Sequence, residues 1–202
     1  EYKVYPMSDA QHQQRQQRLK EKVDARIAQA QREQGILMIF TGNGKGKTTA
    51  AMGTATRAVG HHKKVGVVQF IKGTWENGER NLLEQAGVPF YVMETGFTWE
   101  TQDKAADTQA CLNTWQYALQ LLNSPDYDLV VLDELTYMIS FHYLPLEDVV
   151  AAITSRPDHQ SVIITGRGCH RQLIELSDTV TEMRPIKHAF DSGIKAQKGI
   201  DW

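Results

Sequence analysis

Apolar and polar positions divide the chain into two stretches with different periods. From about Ser8 to Gln34 it is polar and rich in Gln, Arg and Lys, with Leu19, Val23 and Ile27 four positions apart. That spacing places three aliphatic side chains on one face of a helix, with charged groups around the rest. So thin a stripe cannot hold a helix by itself, so the segment either packs on its own domain or frays in solvent, or lies across a partner subunit. After Gly35 the pattern changes to short apolar runs: Ile36–Phe40, Val65–Ile71, Val88–Met93, Leu129–Leu132 and Val162–Thr165, with Val180–Met183 a weaker sixth. Helix-length segments separate them, which predicts an α/β domain with a mostly parallel sheet flanked by helices on both faces. Gly60, Gly87 and Pro125 mark helix ends. The expected division is a helical arm over residues 7–34 and one α/β domain over 35–202. Residues 1–6, ahead of Met7, read as a remnant without functional weight.

The first apolar run leads into Thr41-Gly42-Asn43-Gly44-Lys45-Gly46-Lys47-Thr48-Thr49, and an alanine-rich segment of helical period follows. Strand, glycine-rich turn, Lys-Thr and helix is the context of a P-loop, as in the RecA-like P-loop NTPases. Backbone N–H groups there cradle an anion, and the helix adds its positive dipole end. Gly42, Asn43, Gly44, Lys45, Gly46, Lys47, Thr48 and Thr49 are therefore expected to bind the phosphates of a magnesium–nucleotide, MgATP. Lys47 is the mobile point charge and Thr48 a magnesium ligand. The general motif has its first glycine where Thr41 stands here, so this loop is one residue short.

Two further runs end in candidate chemistry. Leu129–Leu132 is followed by Asp133 and Glu134, the form of a Walker B element, and strand ends of such sheets face the ligand crevice. Either acid is a candidate for Mg²⁺, directly or through water, unless it merely caps the next helix. Val162–Thr165 leads to Gly166-Arg167-Gly168, where a guanidinium suits bidentate phosphate contact or lies in a surface turn. Phe97 and Trp99 follow the third run at the same edge, and either stack on a flat ligand or anchor their loop. Trp75 lies in another polar loop there. Cys169-His170 lacks a third ligand at metal spacing.

Composition narrows the classes. At 202 residues, 41% hydrophobic and 23% charged, the chain is ordinary for a globular protein. A net charge of -2 weighs against nucleic acid as a partner. Two widely spaced cysteines exclude a disulfide framework and suggest a reducing cytoplasm. No apolar run reaches the roughly eighteen residues of a membrane span.

The blocks Thr41–Thr49, Val67–Gly73, Gly96–Trp99, Leu132–Tyr137 and Thr165–Gly168 together resemble the P-loop ATP:corrinoid adenosyltransferases of the enteric-bacterial type. The resemblance runs from the arm to the tail Lys195–Asp201, and the short loop belongs to that pattern. It implies transfer of the 5′-deoxyadenosyl group of ATP to the Co(I) of a corrinoid with release of triphosphate, in adenosylcobalamin biosynthesis and salvage. Cobalt is then the nucleophile, so no protein nucleophile is needed. It also implies a nucleotide reversed in the loop, Mg²⁺ held by Thr48 and Glu134 with Asp133, and leaving-group charge stabilised by Lys47 and Arg167. Phe97 and Trp99 match aromatics that lie beneath the corrin and displace its lower axial ligand. The partners implied are a reduced, flavodoxin-like flavoprotein and a second copy of the chain, whose site the N-terminal arm covers. Two rival readings are a RecA-like ATPase hydrolysing the β–γ bond and a corrinoid carrier without chemistry. The Asp-x-His-x-x-Gly of one common cobalamin-binding module is absent.

Overall fold

A computed structural model of the protein describes residues 9–71, 76–94 and 103–202. Phe97, Trp99 and Trp75 lie outside them. Two units are distinguished, Glu1–Glu33 and Gln34–Trp202. The first contains helix α1 (Asp9–Gln29), on which Leu19, Val23 and Ile27 are 49%, 52% and 65% exposed. Its apolar stripe is thus real as a periodicity.

The second unit runs β1 (Leu37–Thr41), α2 (Lys47–Gly60), β2 (Val65–Gln69), α3 (Gly78–Gln85), β3 (Phe90–Val92) and α4 (Lys104–Asn123). It continues with β4 (Leu129–Asp133), α5 (Leu135–Ser140), α6 (Leu146–Thr154), β5 (Ser161–Thr165), α7 (Arg171–Leu176), β6 (Thr179–Glu182) and a 3-10 turn at Ala189–Ser192. The six strands form one sheet in the order β3-β2-β4-β5-β1-β6, and every pairing is parallel. Parallel strands need helical crossovers, and these cover both faces, which is why β4 is buried at every position instead of alternating. Leu129 and Val131 pack with Ala51, Met52 and Ala55 of α2 and Leu83 of α3. Val130 and Leu132 pack with Trp115, Ala118 and Leu122 of α4 and with Leu135 and Met138 of α5. Each such buried aliphatic side chain contributes about 1.5–3 kcal/mol, so the central strands fix the register of the sheet.

All six apolar runs become strands, with shifted bounds. β2 ends at Gln69 and β3 shortens to Phe90–Val92. The weak sixth run is the edge strand β6, all four of whose residues are exposed, so it needs no apolar alternation. α2 includes Gly60 as its last residue, and the left-handed turn falls on His62. Pro125 follows the end of α4 by two residues.

The chain leaves β1 through α2 toward β2 on one side, and leaves β5 through α7 toward β6 on the other. Connections that diverge in this way open a crevice at the C-terminal ends of the strands.

Beneath that edge, at the opposite end of β5, Gln160 is fully buried and ties the end of α4 in place. Its Nε2 donates to the carbonyls of Leu121 (3.1 Å), Ser124 (3.2 Å) and Tyr127 (3.4 Å). Replacing it with Leu removes the donor and leaves those carbonyls desolvated. Gln160→Leu is expected to cost about 2–3 kcal/mol, seen in urea unfolding as a lower midpoint with an unchanged slope.

Candidate active site

Strand β1 carries Thr41 to the sheet edge, and the chain turns at Gly42 with φ 95°. A Cβ there would meet the Met183 carbonyl oxygen at 2.4 Å, so only glycine permits the approach of the chain end of β6. Met183 N–H donates to Thr41 O at 2.8 Å, and Gly44 N–H donates to Met183 O at 2.7 Å. The N–H of Gly44 is therefore spent on β6 and does not face the cleft. The loop enters α2 at Lys47, whose Nζ donates to Gly44 O at 2.7 Å. Burial lowers the Lys47 pKa most, the Arg167 charge lowers it further, and Glu134 and Asp133 partly offset both.

Asp133 is the junction of the site. Its Oδ1 accepts from Thr48 Oγ1 of α2 at 2.9 Å and from Thr165 Oγ1 of β5 at 2.7 Å. Its Oδ2 accepts from Gln69 Nε2 of β2 at 3.2 Å. Pairing of Gln69 with Asp133 in the β2–β4 register sets this geometry. Burial raises the Asp133 pKa despite the three hydrogen bonds, which act to lower it.

Glu134 follows in a left-handed conformation, φ 59° and ψ 24°, which a non-glycine residue adopts at a cost. Its backbone N–H donates to Thr165 Oγ1 at 2.9 Å, so that hydroxyl accepts from Glu134 while donating to Asp133. The turn delivers the Glu134 carboxyl beside Asp133. Burial pushes its pKa up to about 7, Asp133 adds to the rise, and Lys47 and Arg167 oppose it. Among the described residues its Oε2 is buried without a hydrogen-bond partner.

Arg167 stands exposed after Gly166, and its charge reaches Lys47, Glu134 and Tyr137. Gly166 has φ 139°, and a Cβ on it would meet Thr136 Oγ1 at 1.9 Å. The loop after β5 is thus pressed against α5, which holds Arg167 at the Glu134 end of the crevice. Cys169 offers no thiolate, since burial raises its pKa to about 11.

A cavity of about 480 Å³ joins these parts. Lys45, Gly46, Lys47, Thr48, Thr49, Asp133 and Glu134 line it from the expected set. Gln69, Glu76, Asn77, Glu79, Asp201 and Trp202 line it as well, and sequence reasoning gave none of these a role. Gln69 and Thr165 carry a signal in retrospect: each is a polar residue closing an apolar strand. Glu76, Asn77, Asp201 and Trp202 have no local signal, because folding alone brings them there. Gly42, Asn43, Gly44 and Arg167 do not line this cavity, and Phe97 and Trp99 lie outside the described residues.

The Glu134 pKa has a consequence for stability. In the fold it lies near 7, above the ordinary glutamate value of 4.5, so the favourable contribution is complete below about pH 4.5 and is lost as pH rises through 7. At pH 8 the buried charge costs on the order of 3 kcal/mol. Ligand-free Glu134→Gln is expected to melt several degrees above the unsubstituted chain at pH 8, with the difference vanishing toward pH 4.5. Thermal melts at the two pH values test this. An equal difference at both would remove the charge as its cause.

Comparison with known proteins identifies the family. Residues 33–202 match the family described as ATP:corrinoid adenosyltransferase BtuR/CobO/CobP, and residues 6–27 match the description Cob(I)alamin adenosyltransferase N terminal. The chain is 67% identical over 196 residues to corrinoid adenosyltransferase CobA of Salmonella typhimurium, covering 97% of this chain and all of that one. A corrinoid adenosyltransferase of Escherichia coli is 69% identical with the same coverage. One from Pseudomonas aeruginosa is 49% identical over 199 residues, 98% of each chain. The chain therefore belongs to the ATP:corrinoid adenosyltransferase family, and ATP-dependent adenosylation of a corrinoid, as in cobalamin biosynthesis and salvage, is its activity.

Proposed function

We propose that the short phosphate loop serves as an anion trap for triphosphate as a leaving group. In this reading the part of the loop that lines the cavity, Lys45 to Thr49, grips the triphosphate, and the ribose C5′ is left facing the corrinoid. A cobalt(I) electron pair attacks C5′, the Co–C bond forms as the C5′–O bond breaks, and the electron pair leaves with the triphosphate. Lys45 and Lys47, with Arg167 across the crevice, neutralise the charge that collects there. The observation that carries the reading is the Thr48–Asp133 hydrogen bond of 2.9 Å beside Glu134, whose Oε2 is buried and partnerless among the described residues.

The same residues fit a magnesium ion, because a threonine hydroxyl and two carboxylates are hard oxygen donors. Thr48, Glu134 and Asp133 would share such an ion with the phosphates. When bound it supplies positive charge against the triphosphate oxygens.

The rest of the catalysis is placement. Holding C5′ in line with cobalt is worth up to roughly 7–11 kcal/mol. Phe97 and Trp99 are assigned to the lower face of the corrin, where they exclude water and favour four-coordinate cobalt. The half-exposed stripe Leu19, Val23 and Ile27 on α1 suits an arm laid over the site of a second copy in a homodimer. A reduced flavoprotein is the electron donor proposed, and the cytoplasm the compartment. Among the described residues no helix is long and apolar enough to cross a membrane.

Anaerobic reaction with MgATP and cob(I)alamin is expected to yield adenosylcobalamin and triphosphate one for one. ADP and phosphate with Co(I) unchanged would overturn the reading in favour of β–γ hydrolysis. Trp99→Ala is expected to leave the affinity for ATP unchanged while slowing adenosylation of corrinoid supplied as Co(II). An unaltered rate from Co(II) removes the aromatic from the mechanism.

A further inference from the structure

The C-terminal segment reaches into the phosphate-loop cavity, and its contacts are specific. Lys45 Nζ pairs with Asp201 Oδ1 at 2.7 Å. Asp201 Oδ2 accepts from Gln197 N–H at 2.7 Å, so one carboxylate oxygen is anchored by the tail while the other meets the loop. Lys45 is the first influence holding the Asp201 pKa below the usual range. The carboxylate is carried on a tight turn: Gly199 has φ 81°, Gly199 N–H donates to Trp202 O at 2.9 Å, and Asp201 N–H donates to Gln197 O at 2.8 Å. Lys198 approaches Glu76 at 3.8 Å, a second tie to the cavity wall.

Carboxyl groups outnumber lysines in this cavity. Among the described residues Glu76, Glu79, Asp133, Glu134 and Asp201 line it against only Lys45 and Lys47. A polyphosphate entering such a space needs each lysine, yet one of them already holds a carboxylate. Carboxylate and phosphate oxygens present the same charge to an ammonium, and Lys45 is a point charge that serves either. Triphosphate and the Asp201 carboxylate therefore contend for one cation, and their mutual repulsion disfavours both staying on it.

We propose that Asp201 is a stand-in for phosphate: it holds Lys45 while the nucleotide site is empty and yields it to the triphosphate of the incoming nucleotide. The inference rests on the reading that the loop binds triphosphate. Asp201 is a positioning residue that acts through Lys45. It keeps the loop lysine in the cleft between turnovers and returns to it as triphosphate leaves, which favours release of a multiply charged product.

Calorimetric titration with inorganic tripolyphosphate at low salt tests this without the cobalt chemistry. Asp201→Asn is expected to bind about two- to fivefold tighter than the unsubstituted chain, the scale of an exposed ion pair, with the gain fading as salt rises. Asp201→Glu should restore the original affinity. In a Lys45→Ala background, adding Asp201→Asn should change nothing, because the shared cation is gone. Unchanged or weaker binding in Asp201→Asn, with the unsubstituted chain still binding, overturns the proposal alone. So does a gain that persists in the Lys45→Ala background. Failure of the unsubstituted chain to bind tripolyphosphate overturns both this and the phosphate-loop reading.

Discussion

Everything at the crevice depends on one buried carboxylate. Asp133 accepts from Gln69 on β2, Thr165 on β5 and Thr48 on α2, so a single side chain ties three separate elements to the end of β4. A buried carboxylate is tolerated only where donors converge on it. Loss of any one donor leaves charge or polarity uncompensated in the interior, which makes the cluster an all-or-none arrangement. The position of Thr48, and with it the start of α2 and the phosphate loop, is set from below by this contact.

Around that junction the protein keeps several groups away from their relaxed states. Glu134 sits in left-handed backbone with a raised pKa, and Lys47 is buried with a lowered one. Gly166 is pressed against Thr136. These costs are supported by the sheet, whose central strands bury aliphatic side chains on both faces. Stored electrostatic cost of this kind is what a cation and a polyanion relieve on binding.

The chemistry of the family asks for no protein nucleophile. Cys169, the thiol near the crevice, is held protonated by burial. In the proposed reading the bond-making electrons belong to the corrinoid, and the chain contributes shape and fixed charge.

The sequence by itself determined the period of each segment, and so the six strands, the helices between them and the phosphate loop with its Lys47 and Thr48. These are properties of neighbours along the chain: apolar runs, glycine turns and helix starts are chosen by local sterics and by burial on one face or two. Asp133 and Glu134 were legible because an acid ending an apolar strand must lie at the sheet edge. Tertiary structure alone decided which groups met. Gln69 and Thr165 became partners of Asp133 through strand register, and Met183 took the N–H of Gly44 because β6 lies beside β1. Asp201 reached Lys45 across more than 150 intervening residues. Contacts between distant segments follow from how layers pack and how charges balance in one cavity, and no pattern of adjacent residues encodes that.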